Sequence, residues 1–269
     1  MLILAGFLLS GAISCNQTNE SQDDAEDMDF PFENRGEGIT DFEELDKKMR
    51  HIMNDMPEKE GLYKNIEVVK ADGAKEVAVR LEIGAGKLRL TGGASELLIA
   101  GFIYSDETWK PQIKYDLRGS AGELIIAQPE SEDFNYSDED KYVWNLKFNN
   151  QIPLDFDIEL GAGISEIFLS DLNIQDFSMT MGVGKSEVDL RGNWEKSTTI
   201  HLIGGIGLSK VYLPSNVGIL INIDKAIGAL DIKGLIQKSR SEYVNKLYET
   251  ADVVLTINIK TGIGQIEIE

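Results

Sequence analysis

The chain has 269 residues, 42% of them hydrophobic, enough for a real core in one elongated domain or two small ones. Its 46 acidic against 26 basic residues give a formal net charge of -20. So acidic a surface repels nucleic acid and argues against a DNA, RNA or polybasic membrane-surface role. The single cysteine, Cys15, leaves no internal disulfide and no multi-cysteine metal site.

In chain order, Leu2 to Ile13 form an unbroken run of small and apolar residues too short to span a bilayer comfortably, which reads as the core of a signal peptide over residues 1–14. It ends Ala12-Ile13-Ser14-Cys15, which resembles the lipobox of bacterial lipoproteins. That resemblance implies acylation at Cys15, export, and contact with the membrane through a lipid anchor, in the periplasm or at the cell surface. Residues 15–39 carry Asp23, Asp24, Glu26, Asp27, Asp29, Glu33 and Glu37 against Arg35 alone. This stretch has too little apolar surface to fold and reads as a solvated tether.

Thr40 and Glu43 form a capping box, and Phe42, Leu45, Met49, Ile52, Met53 and Met56 follow at helical spacing before Pro57. The pattern predicts a helix over 40–61 that caps the exposed end of a β body, or presents a partner-binding stripe.

From about residue 62 the chain alternates with period two, and a unit of strand, G-x-G, strand recurs. Its corners are Gly84-Ala-Gly86, Gly161-Ala-Gly163, Gly182-Val-Gly184, Gly205-Ile-Gly207 and Gly262-Ile-Gly264. Degenerate copies stand at Ser120-Ala-Gly122 and Ala226-Ile-Gly228. From Gly161 to Ala226 the period is 21 to 23 residues, the range of solenoid arrays, and the wider gap after it takes an insertion. The glycines fit positions where a strand turns a corner beside a neighbouring backbone. One apolar column lines each leading strand, for example Val79, Leu81 and Ile83, with Arg80 and Glu82 on the wet side. The expected fold is all-β, a short β-solenoid of about seven or more rungs. The alternative is a pair of antiparallel sheets with G-x-G hairpins, in which the strands flanking each corner would pair directly. Glu267 and Glu269 point outward from a terminal strand expected at the sheet edge.

The segment from Val79 through Gly84-Ala-Gly86 to Thr91-Gly-Gly93, then Trp109-Lys-Pro111 and Gly122-Glu-Leu124, resembles the N-terminal toast-rack domain of bacterial envelope proteins. Trp144-Asn-Leu146, Ile152-Pro-Leu154 and the later glycine repeats are similar to the C-terminal domain of LiaF-like proteins, linked to the response to cell-wall-active antibiotics. The resemblance implies a toast-rack domain over 62–150 and LiaF-like repeats over 151–269, with no catalytic motif to carry over.

Other motifs are weaker. Gly182-Val-Gly-Lys-Ser186 mimics a phosphate loop, but Met179 replaces the needed Gly and a strand follows. Ser137-Asp-Glu-Asp140 lacks calcium-ligand spacing, and His51 and His201 assemble no metal site or triad. No metal and no cofactor is expected. Phe134, Tyr136, Tyr142 and Trp144, in an insertion, are the candidate binding surface, or else cover the side of the stack. The sequence thus points to a non-catalytic envelope module, adhesin-like or a scaffold, whose partner is an envelope protein or a cell-surface glycan. The alternative is a regulator of envelope-stress signalling that acts on a membrane sensor.

Overall fold

The computed structural model describes residues 61–129 and 141–269. The signal segment, Cys15, the tether, the expected helix up to residue 60, and Phe134 and Tyr136 lie outside them. Thirteen strands are present among the described residues: β1 (Tyr63–Val69), β2 (Glu76–Gly92), β3 (Leu98–Tyr104), β4 (Gln112–Arg118), β5 (Ala121–Ala127), β6 (Tyr142–Phe148), β7 (Leu154–Phe168), β8 (Ile174–Asp189), β9 (Thr198–Tyr212), β10 (Gly218–Ile232), β11 (Ile236–Gln237), β12 (Glu242–Val244) and β13 (Val254–Ile268). No helix among these residues is long and apolar enough to cross a membrane.

Six long strands carry the glycine corners and pair in parallel in the order β2, β7, β8, β9, β13, β10. The pairing puts like on like: Gly86 beside Gly163, then Gly184, Gly207, Gly264 and Gly228. Alternation assigns each strand one buried column per leg. Leu81, Ile158, Met179, Leu202, Ile259 and Ile223 line the leading legs, and Leu90, Ile167, Val188, Val211 and Ile268 the trailing ones, all buried. Each fully buried Leu or Ile contributes about 1.5–3 kcal/mol. The hydroxyls of Ser165 and Ser186, on trailing legs, each lie 4.0 Å from the Met179 sulfur on a leading leg, so the legs face each other across the core. Strands flanking a corner pair with the next rung and not with each other. This is a β-solenoid, and the hairpin alternative falls.

A further rung is split in two. β5 pairs with the leading leg of β2 and β6 with its trailing leg, both parallel, so that each supplies one leg. Ser120-Ala-Gly122 is therefore no corner: it opens β5, and Gly122 lies opposite Val77 with Tyr115 packed over it. Antiparallel β4 extends β5, while β3 and β1 extend β6. The expected terminal edge is also corrected. β13 lies inside the sheet between β9 and β10, and β10 is the last long rung, covered by β12 only over Leu220–Asn222. The compact unit Gly38–Glu269 holds every described strand and the whole core.

Candidate functional site

The site is built by the corners. At Gly184 φ is +142°, in the region that favours glycine, and a Cβ there would strike the Gly163 carbonyl oxygen of the rung below. The same encounter recurs up the stack, for example between Gly207 and the Gly184 carbonyl. Two glycines at each corner, and Gly228 alone in β10, therefore press the backbones together and leave the residue before the second position outward.

Those middle residues form one column: Ala85, Ala162, Val183, Ile206, Ile263 and Ile227. The aliphatic ones are exposed by 51% at Val183, 53% at Ile206, 49% at Ile263 and 66% at Ile227. Ile164 and Ile203 beside the corners are exposed as well. Scattered exposed aliphatics are ordinary, but a contiguous run on a sheet ridge marks an interaction surface. The flanking cations are Lys185, one residue past Gly184, Lys260, and Lys225, whose Nζ donates to the Gly228 carbonyl at 3.1 Å.

Two recesses adjoin the rungs. Gly204 takes the inward position held by Leu160 in β7 and Met181 in β8, leaving about 20 Å³ near Ser186, Ser209 and Thr261. That volume suits one water molecule and nothing larger. On the outer face of the leading legs, a groove of about 390 Å³ is bordered by Arg80, Glu123, Asp155, Asp157 and Asp176. Burial, with the charges of Asp176 and Glu76, holds the Asp155 carboxyl above the usual carboxylate range. Arg80 approaches Asp157 at 3.7 Å. Among the described residues no group of three His, Cys, Asp or Glu side chains converges to hold a metal ion.

Of the aromatic candidates in the insertion, Tyr142 and Trp144 are corrected. Both are buried in the core. Trp144 meets Phe102 edge-on at 5.5 Å, and Tyr142 meets Trp109 at 6.1 Å. Burial pushes the Tyr142 hydroxyl far above its ordinary pKa. They seal the split rung and present no surface. A signal for this stood in the sequence, since Tyr142, Trp144, Leu146 and Phe148 alternate with period two, the mark of one inward face. The ridge itself escaped the sequence reading, although Val183, Ile206, Ile227 and Ile263 sit at positions that a solvated corner would give to polar residues.

Fold and site together define a parallel β-solenoid whose glycine corners carry an exposed aliphatic ridge. The chain belongs to the toast-rack family: the model described as the N-terminal domain of toast_rack matches residues 57–212, more than half of it. The model described as cell wall-active antibiotics response LiaF, C-terminal, matches residues 165–268. Among solved structures, a proposed cell adhesion protein from Clostridium sporogenes is 34% identical, covers 77% of this chain and 98% of its own, and superposes with a TM-score of 0.75. A proposed adhesin from Bacteroides fragilis is 11% identical over 78% of this chain and 98% of its own, with a TM-score of 0.30, too loose to carry an argument. No curated protein matches.

Proposed function

We propose that this protein is a non-catalytic binding module of the bacterial cell envelope, adhesin-like in role, held to a membrane by a lipid on Cys15. The observation that carries this reading is the likeness to the Clostridium sporogenes cell adhesion protein, which spans 98% of that chain at 34% identity. The exposed ridge of Val183, Ile206, Ile263 and Ile227 supplies a contact surface suited to such a role. Phe134 and Tyr136 in the insertion offer a second contact for an envelope protein or a surface glycan. Crosslinking the protein in source-cell envelopes and isolating it tests the reading. Recovery with one surface protein or glycan is expected, and loss of the anchor in Cys15→Ser, read by failure to incorporate a labelled fatty acid. Recovery of neither partner, with hydrolysis of an envelope glycan by the purified protein, overturns it.

A second reading is favoured by the LiaF C-terminal match over residues 165–268: a regulator of envelope-stress signalling. In that case the same crosslinking recovers a membrane sensor, and deletion of the protein changes the induction threshold for a cell-wall-active antibiotic.

A further inference from the structure

The corner ridge has a charge pattern unlike the rest of the molecule. Roughly one residue in six of the chain is acidic. Yet across the corners of three successive rungs, Thr180–Ser186, Ile203–Ser209 and Lys260–Ile266, there is no carboxylate, and the charges present are Lys185 and Lys260. These rungs are adjacent in the sheet, so the three segments form one continuous strip. Val183, Ile206 and Ile263 project from its crest, and Ile227 continues the line on β10. With about 4.8 Å between strands, the aliphatic line from Val183 to Ile227 runs roughly 14 Å.

We propose that this ridge, free of carboxylates on β8, β9 and β13 and carrying Asp224 beside Lys260 on β10, docks onto a phospholipid bilayer, with Val183, Ile206, Ile263 and Ile227 entering the interfacial layer and Lys185 and Lys260 meeting lipid phosphates. A narrow aliphatic crest with lysines beside it matches the layered chemistry of a bilayer surface, apolar below and phosphate above. A second copy fits worse. It would set Lys185 and Lys260 against their own counterparts and bring together two bodies of formal charge -20. The overall charge does not prevent docking, because at physiological ionic strength acids farther than about 8 Å from the contact are largely screened. The contact is local and aliphatic, so the exclusion of a polybasic membrane role still holds. The proposal goes beyond the adhesion reading, since a bilayer contact orients the solenoid whatever it binds.

Flotation of residues 38–269 with vesicles of phosphatidylcholine and phosphatidylglycerol tests it, because that unit omits the apolar run at Leu2 to Ile13. The wild-type unit is expected to float, and Ile206→Ser with Ile263→Ser to weaken partitioning about tenfold or more. Lys185→Glu with Lys260→Glu weakens it too. Circular dichroism confirms that each variant is folded. In the full chain with Cys15→Ser, a polarity-sensitive dye at Gln265→Cys shifts to the blue on vesicles, while the same dye at Ser178→Cys does not. No flotation, or flotation indifferent to the serine pair, overturns the proposal. So does a concentration-dependent dimer that the serine pair abolishes without lipid. Crosslinking of the serine-pair variant to the same surface partner as wild type would leave the adhesion reading standing even if vesicle binding failed.

Discussion

The corner of β2 faces two different neighbours, and the contrast shows why the repeat contains glycine. On one side lies β7, whose Gly161 and Gly163 press against the carbonyls of Gly84 and Gly86. On the other side lies the split rung, whose described residues supply two legs and no glycine corner. There Gln128 reaches in instead, its Oε1 accepting a hydrogen bond from the Gly84 N–H at 2.8 Å. A Cβ on Gly84 would meet only that flexible side chain, 3.1 Å from Oε1. Inside the stack, a Cβ would meet fixed backbone. At the first position of the corner the glycine requirement therefore comes from the adjacent rung, whereas at the second, Gly86, a φ of +147° and the Tyr142 carbonyl keep it even beside the split rung.

This contrast can be broken or sharpened by substitution. The largest effect is expected where the split rung replaces corner packing with aromatic packing: Trp144→Ala should cost about 3–5 kcal/mol in denaturant unfolding. A near-neutral result would return Trp144 to the surface. Gly182→Ala should cost about 3 kcal/mol or more, because a Cβ there strikes the fixed Gly161 carbonyl of the rung below. Gly84→Ala, at the matching position beside the split rung, should change stability by less than about 1 kcal/mol. Equal costs at the two glycines would show that the bend itself sets the requirement. On the ridge, Ile263→Ser should stay within about 0.5 kcal/mol, since that side chain is half exposed.

The smallest effect concerns charge on the outer face. Asp155 has its native pKa raised, first by burial and then by Asp176 and Glu76. The native state then binds the proton more tightly than the unfolded state, so the associated stability is present below the unfolded pKa and lost as pH rises through the native one. Asp155→Asn is expected to raise Tm slightly at neutral pH, and the gain should vanish on acidification below the carboxylate range. A gain that persists in acid would point to a cause other than this titration.

Much of the architecture was legible in the residues. Strict alternation on either side of Gly161-Ala-Gly163 and Gly182-Val-Gly184 defines two legs with one inward face, and the parallel register follows from like lying on like. The order of the last rungs was not legible. Ile219 to Ile223 and Leu255 to Ile259 carry the same apolar alternation, so either strand satisfies the groove beside β9. What distinguishes them is the return through β11 and β12, after which the Asn245 side chain accepts from the Ile219 N–H at 3.0 Å beside the outer edge of β10. Gly122 misled for a related reason: a glycine among alternating apolar residues marks close approach, here of Tyr115, as readily as a corner.

The most direct test of the stacking is disulfide trapping between outward-facing positions of neighbouring rungs, in a Cys15→Ser background. His201 in β9 is the register partner of Asn258 in β13, and Asn258 is the partner of Asn222 in β10. His201→Cys with Asn258→Cys should form a disulfide on mild oxidation, since adjacent strands lie about 4.8 Å apart, within reach of the bond. His201→Cys with Asn222→Cys should not, because two strand spacings separate them. Crosslinking of the second pair and not the first would place β10 beside β9 and contradict the insertion of β13 into the stack.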